Sequence, residues 1–186
     1  MRFHGHKCPG QVLGVRMAVL GLKEIGIRSS RGRDRRDLVV FVERDRCAMD
    51  AIQFVTGCTI GRGTLRFFDF GKMASTFVNI STGRAVRVVA RESAKEIALS
   101  RFPNERDPFE AQLKAYLAMP DSDLFDLMDV RVFPDMLPRL KQQKKKVVCS
   151  LCGENISDGK EVTLNGLILC RNCLQGSYYE ILRRRL

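Results

Sequence analysis

Two cysteine pairs near the end of the chain constrain its fold more than any other sequence feature. Cys149 and Cys152 form one CxxC pair, and Cys170 and Cys173 form the other after 17 intervening residues. Four thiolates at this spacing match the tetrahedral coordination of structural zinc. A segment of under about 40 residues also has too little apolar core to fold without such a cross-link. We therefore predict a four-cysteine zinc module, with redox-active CxxC thiols as the alternative.

The residues between and after these pairs predict the shape of the module. Residues 162–169 are two short apolar runs around Asn165-Gly166, a dipeptide typical of a two-residue hairpin turn. Aromatic and apolar residues after the last cysteine predict a terminal helix: Tyr178, Tyr179, Ile181 and Leu182. Knuckle, hairpin and helix in this order resemble a treble-clef or zinc-ribbon module. Four cysteines leave no open coordination position, so we expect a structural or docking role for the module.

A boundary precedes the module. Pro134 and Pro138 are followed by a run of Lys, Arg and Gln that has no apolar face. Such a composition is typical of a linker. We predict a larger domain over residues 1–138, a basic linker over 139–148 and the zinc module over 149–186.

Helical and strand-like patterns in the larger domain come in runs rather than in strict alternation. This order predicts an α+β domain with helices and an antiparallel or mixed sheet. The predicted helices span residues 9–26, 47–55, 93–100, 109–119 and 121–128. The predicted strands span residues 38–43, 64–70, 74–80, 85–90 and 130–133.

Composition excludes several classes of protein. Hydrophobic residues make up 45% of the chain and charged residues 28%, which excludes disorder as the dominant state. No apolar run is long enough for a membrane span, and the first residues lack the apolar stretch of a leader peptide. We therefore expect a cytoplasmic protein without a membrane partner. In a reducing compartment its seven cysteines are expected to be metal ligands or reactive thiols rather than disulfides.

The formal net charge of +11 indicates either a polyanionic partner or basic solvated surfaces. The excess positive charge is split between residues 28–36, the linker and the tail Arg183–Arg185. No recognition-helix pattern accompanies it. We therefore predict that any nucleic-acid binding is weak, salt-dependent and not sequence-specific.

Both histidines of the chain, His4 and His6, lie within three residues of each other and just before Cys8. Because Cys8 precedes a helix that begins at Pro9, we expect the helix start to lower the pKa of this thiol. Two further cysteines, Cys47 and Cys58, bracket the second predicted helix. We predict a second metal site in which His6, Cys8 and Cys58 hold the ion and Cys47 or His4 completes the shell. Buried thiols and ordinary surface histidines are the alternative.

Four blocks of this sequence together resemble the family of formylmethanofuran dehydrogenase E subunits. They are residues 4–10, 47–53, 56–63 and 69–72. The resemblance implies an α+β core that dimerises and a metal site built from the His and Cys blocks. It also implies a formylmethanofuran dehydrogenase-type complex as partner; that enzyme uses a molybdenum or tungsten pterin, for which this sequence carries no motif. Arg62 stands where the family usually has Lys, which keeps the charge and changes its geometry.

Two functional classes remain open. The first is a metal-dependent enzyme or accessory subunit in one-carbon or redox metabolism, using zinc, nickel or iron at the second site. Its candidate catalytic residues are Cys8, Asp50, Thr59 and Lys72. The second class is a non-catalytic binding protein, whose zinc module and basic segments dock an acidic protein or a nucleic acid. About one metal ion per chain would favour the second class, and about two would favour the first.

Overall fold

A computed structural model describes residues 4–137 and 146–183 of the chain. These two ranges are the described parts of two compact units. Most of the predicted linker 139–148, and the end of the arginine tail at residues 184–186, lie outside the described residues. No helix in the described ranges is long and apolar enough to cross a membrane.

Residues 4–137 of the N-terminal unit form five α-helices and a five-stranded sheet. The helices are α1 (Pro9–Glu24), α2 (Cys47–Thr56), α3 (Ser93–Arg101), α4 (Pro108–Ala118) and α5 (Asp121–Leu124). The strands are β1 (Leu38–Val42), β2 (Leu65–Phe67), β3 (Ala74–Asn79), β4 (Ala85–Ala90) and β5 (Phe125–Asp129). The unit is therefore α+β, as the sequence predicts.

The sheet has the strand order β2-β1-β3-β4-β5 and is mixed. β1 pairs with β2 in parallel, whereas the other three pairs are antiparallel. β1 lies between β2 and β3 in this order, and all five of its residues are buried. Leu38, Val40 and Val42 face the core formed with the helices. Val39 and Phe41 belong to a smaller apolar cluster, which residues around 130–137 help to cover.

Helix α1 begins at Pro9, as the sequence predicts. The proline ring fixes φ near its helical value, and the N–H that proline lacks would have no partner at the first position of a helix. The chain leaves it at Gly26, which has φ +75°. A Cβ added at Gly14 would lie 2.6 Å from the Ala48 carbonyl oxygen, and one at Gly21 would overlap the Phe77 ring. The small residues of α1 therefore serve packing within the chain, against α2 and β3.

The predicted helix over residues 121–128 is wrong in its second half. Only Asp121–Leu124 is helical, and Phe125–Asp129 forms the edge strand β5. Its backbone pairs with β4, with Leu127 opposite Val88, so hydrogen bonds to an open sheet edge outweigh the local helical pattern. The predicted strand over residues 130–133 is also wrong, since these residues follow β5 without regular structure.

Residues 146–183 of the C-terminal unit form two small hairpins and one short helix. Its elements are β6 (Val147–Val148), β7 (Asn155–Ile156), β8 (Val162–Leu164), β9 (Leu167–Leu169) and α6 (Arg171–Gln175). Asn165 (φ +50°) and Gly166 (φ +78°) form the predicted turn between β8 and β9. The predicted helix through Tyr178 to Leu182 is wrong. The helix ends at Gln175, because Gly176 has φ +94° and leaves the helical conformation.

Candidate metal centres

Four metal-binding side chains meet at the start of the first two helices. His4, His6, Cys8 and Cys47 each offer one donor atom, and these atoms all lie within 4.8 Å of one another. Cys8 is the residue before α1, and Cys47 is the first residue of α2. Close packing of α1 against α2 therefore brings two thiols, far apart in sequence, to one place.

Gly10 leaves room for this convergence. A Cβ at this position would lie 3.2 Å from Cys47 Cβ and about 4 Å from the sulfur atoms of Cys8 and Cys47. A side chain in the first turn of α1 would therefore press against both cysteines. Gln11, one residue further on, donates through Nε2 to the Cys47 carbonyl oxygen at 3.3 Å. Sequence reasoning missed Gln11 and included Gly10 only as part of the family block of residues 4–10, although each lies in the first turn after Cys8.

His4 is oriented by a carboxylate. Its Nδ1 lies 2.7 Å from Asp50 Oδ2, and its Nε2 lies 3.9 Å from Cys8 Sγ. The His4 side chain is 12% exposed, compared with 39% for Asp50. A carboxylate on one ring nitrogen fixes the tautomer and leaves the other nitrogen to bind a metal, an arrangement common around protein zinc sites.

The geometry and chemistry of the four donors fit a borderline divalent metal. Bond lengths of about 2.3 Å to sulfur and about 2.05 Å to nitrogen, at a tetrahedral angle, place these atoms about 3.6 Å apart. The distance of 3.9 Å between Cys8 Sγ and His4 Nε2 is close to that value. Two imidazoles and two thiols suit zinc, and they also suit nickel or iron.

The expected lowering of the Cys8 pKa is wrong. Burial raises the pKa of this thiol, and the neighbouring Cys47 thiol raises it further. The Gln11 N–H, 3.4 Å from Cys8 Sγ, lowers the pKa, as a helix start should, but burial outweighs it.

Cys58, which the sequence suggested as the best remote ligand, stands apart from the donor group. Its side chain is buried in the core of the N-terminal unit, and its Sγ faces the Leu38 carbonyl oxygen at 3.9 Å. Burial raises the pKa of the Cys58 thiol. The structure thus brings Cys47, and not Cys58, to the histidines.

The candidate catalytic residues fall in three places. Cys8 is one of the four N-terminal donors, and Asp50 contacts the donor His4. Thr59 donates its backbone N–H to Thr64 Oγ1 at 3.0 Å, in the turn after α2. Lys72 is exposed, and its backbone N–H donates to the Glu43 carbonyl oxygen. Neither Thr59 nor Lys72 is one of the four clustered donors.

The four C-terminal cysteines also converge. The sulfur atoms of Cys149, Cys152, Cys170 and Cys173 lie within 4.8 Å of one another. Cys152 Sγ and Cys170 Sγ are 3.9 Å apart, close to the separation of about 3.8 Å that two thiolates have on tetrahedral zinc. Ser150 N–H donates to the Ile168 carbonyl oxygen at 2.7 Å and so ties the first cysteine knuckle to β9.

Backbone amides already favour a thiolate in this group. N–H groups of Cys152 and Cys170 lower the pKa of Cys149 to about 6. The hydrogen bond with Cys170, together with burial, raises the pKa of Cys173 to about 12. Crowded thiols of this kind ionise together when a cation compensates their charge.

Comparison with known proteins gives matches to both units. The family model described as "FmdE, Molybdenum formylmethanofuran dehydrogenase operon" matches residues 3–126. The model of the prokaryotic dksA/traR C4-type zinc finger matches residues 145–179. The second match supports structural zinc at the four C-terminal cysteines.

Two similar proteins extend the comparison. A probable S-adenosyl-L-methionine-binding protein of Archaeoglobus fulgidus is 30% identical over 207 aligned positions, covering 98% of this chain and 53% of that protein. This chain thus spans about half the length of that relative. The crystal structure of an FmdE-like protein of the tungsten formylmethanofuran dehydrogenase type, from Syntrophus aciditrophicus, is 26% identical, with a TM-score of 0.67. That alignment covers 96% of this chain and 90% of the solved one.

The matched family region contains the whole donor group at the start of α1 and α2, and the fold agrees with that of a solved FmdE-like protein. The resemblance predicted from the four sequence blocks is thereby confirmed. The chain belongs to the FmdE family and carries a C4-type zinc finger after the family region.

Proposed function

We propose that the protein is a metal-dependent enzyme or accessory subunit of a formylmethanofuran dehydrogenase-type system, active in one-carbon or redox metabolism. The observation that carries the proposal is the convergence of His4, His6, Cys8 and Cys47 within 4.8 Å. A structural zinc site alone would account for the C-terminal cysteines and leave this second donor group without a role.

The four N-terminal donors differ in exposure, which supports a division of roles. Cys8 is buried, His4 and Cys47 are half-buried, and His6 is exposed. We infer that His4, Cys8 and Cys47 hold the ion and that His6 occupies an exchangeable position. Three fixed protein ligands and one exchangeable position are typical of catalytic metal sites. A divalent metal bound there would supply Lewis-acid chemistry to a ligand that displaces His6 or water.

The surrounding residues have positioning roles in this proposal. Asp50 holds the His4 ring with Nε2 directed at the thiols. Gln11 holds the start of α2 through the Cys47 carbonyl oxygen. Cys8 is a ligand rather than a free nucleophile, because a bound cation would keep it as a thiolate.

We also propose that the chain forms a homodimer and that α1 contributes to the contact. Val15 is 40% exposed and Val19 56% exposed on this helix, so two apolar side chains about one helical turn apart face solvent on the same side of α1. Sedimentation equilibrium of wild type and Val19→Glu tests this proposal. A dimer that the substitution dissociates supports it, and a wild-type monomer at concentrations of about 100 μM contradicts it.

A second candidate function is a non-catalytic docking protein. It is favoured by exposed apolar side chains on the C-terminal unit: Leu151 at 64%, Tyr178 at 98% and Leu182 at 90%. In this case the C-terminal zinc would be the one essential metal, and substitutions at the N-terminal donors would leave partner binding intact.

Metal stoichiometry of purified variants tests the first proposal. Wild type reconstituted with zinc, nickel or iron should hold about two ions per chain. His4→Ala and Cys8→Ala should each reduce this to about one. The matched control is Cys58→Ala, which removes a buried thiol outside the donor group and should retain two ions. A wild-type protein that holds only one ion after reconstitution would contradict the first proposal. It would favour the second candidate function, a non-catalytic docking protein.

A further inference from the structure

A basic pocket lies at the end of α2 opposite to Cys47. Its lining residues come from the loop before β1, the last turn of α2 and the turn after it: Arg31, Arg35, Gln53, Phe54, Gly57, Thr59 and Arg62. Its volume of about 500 Å³ is within the range of small-molecule sites. None of the four clustered metal donors lines it, so it is separate from the candidate metal centre.

Three guanidinium groups give this pocket its charge. Among residues 4–137 and 146–183, no carboxylate lies within ion-pair distance of Arg31, Arg35 or Arg62. Asp34, the acidic residue adjacent to Arg35 in the sequence, forms hydrogen bonds with the backbone instead of pairing with these arginines. Its Oδ2 accepts the backbone N–H groups of Arg28 and Ser29, each at 2.9 Å. The pocket therefore presents uncompensated positive charge.

Capping of the carboxyl end of α2 explains the positions of two of the three arginines but not that of the third. The Arg31 guanidinium donates to the Phe54 carbonyl oxygen, and that of Arg62 donates to the Gly57 carbonyl oxygen. Each guanidinium has five N–H donors, so most remain available. Among the described residues, the Arg35 side chain makes no hydrogen bond. Capping of α2 therefore does not explain why Arg35 lines the pocket. The carboxyl end of a helix carries only about half a negative charge, much less than three guanidinium charges.

An aromatic surface lies beside these charges. The Phe54 side chain is 59% exposed, although it is large and apolar. The Arg31 guanidinium lies 5.1 Å from the centroid of its ring. Exposed aromatic rings and guanidinium planes are the surfaces on which nucleic-acid bases stack. Guanidinium groups also match the oxygen geometry of phosphate.

We propose that this pocket binds a nucleoside phosphate. The phosphate groups pair with Arg35 and Arg62, and the base stacks beside Phe54 and Arg31. Three converging positive charges favour a ligand with at least two negative charges, such as a nucleoside diphosphate. This inference is independent of the metal-dependent function proposed above.

Isothermal titration of the zinc-loaded 186-residue chain with ADP tests the proposal. ADP should bind in a 1:1 ratio, and adenosine should bind at least about tenfold more weakly because it lacks the charged groups. Arg35→Gln should weaken ADP binding about tenfold. Arg36→Gln is the matched control, because it removes the same charge from the same exposed turn but lies outside the pocket lining. It should change the affinity by less than about twofold.

Two further variants make the outcome specific. Phe54→Leu should weaken ADP binding about tenfold and leave pyrophosphate binding unchanged, since only ADP has a base to stack. Cys8→Ser should bind ADP as wild type does, because the pocket shares no residue with the metal donors. Loss of ADP binding in Cys8→Ser would place the phosphate at a metal and overturn the proposal. Equal effects of Arg35→Gln and Arg36→Gln, or equal affinity for ADP and pyrophosphate, would also overturn it.

Discussion

At the scale of single residues, the candidate metal centre depends on how side chains are held rather than on which ones are present. His4 lies between Asp50 and Cys8, with 2.7 Å from Nδ1 to the carboxylate and 3.9 Å from Nε2 to the thiol. The carboxylate selects the tautomer that a metal needs. Asp50 would thus act on a bound metal through His4.

Asp50→Asn should therefore lower metal affinity at the N-terminal site by about 10- to 100-fold. The fold should survive, because the Asp50 side chain is 39% exposed. Competition with a chromogenic chelator measures the affinity. The control is Asp45→Asn, which changes an exposed carboxylate just before α2 and leaves the pairing of His4 with Asp50 in place. Equal affinities of Asp50→Asn and wild type would show that the carboxylate does not support the site.

A second residue-scale prediction concerns Asp34 and pH. Backbone N–H groups of Ser29 and Arg28 lower the pKa of this carboxyl in the folded protein. A lowered folded pKa means that the carboxylate stabilises the fold above the unfolded pKa of about 3.9, and that this contribution is lost as pH falls through the folded pKa. Asp34→Asn should therefore be less stable than wild type at neutral pH, and the difference should vanish in acid. Urea unfolding at several pH values measures it; a difference independent of pH would exclude this mechanism.

At the scale of elements, the packing of α1 against α2 builds the site, because Cys8 and Cys47 stand at the starts of these helices. Gly14→Ala places a methyl group against the Ala48 backbone. We expect a loss of about 1–3 kcal/mol in the free energy of unfolding and weaker metal binding, because the helices must separate. Gly61→Ala is the control, since nothing lies within 4 Å of its added Cβ. Chemical denaturation and metal titration check both effects, and wild-type values for Gly14→Ala would contradict the argument.

Elements with strong local signals could be predicted from the sequence. Pro9 marked the start of α1 and Asn165-Gly166 the hairpin, because each has a conformational preference that tertiary packing does not override. The strand β5 could not be predicted, because its conformation depends on pairing with β4. The choice between Cys47 and Cys58 was equally non-local. It depends on which end of α2 faces the histidines, and residue order alone does not determine this.

At the scale of the whole molecule, the two units should respond differently to metal loss. The buried core of the C-terminal unit contains only Cys149, Ile156 and Leu169 among its described residues, so metal coordination must supply much of its folding free energy. Cys170→Ser should leave this unit unfolded while the N-terminal unit persists. Amide resonances resolved by unit would measure this. Retained zinc and unchanged C-terminal resonances in the variant would contradict it.

The measurement that tests the central claim most directly is X-ray absorption at the zinc edge of a Cys149→Ser/Cys170→Ser variant. Removing the C-terminal site isolates any ion held by the N-terminal donors. We predict one zinc per chain with a mixed shell, about two sulfur atoms near 2.3 Å and about two nitrogen or oxygen atoms near 2.0–2.1 Å. A variant that retains no zinc, or a shell without sulfur, would contradict the claim that His4, Cys8 and Cys47 form a metal centre.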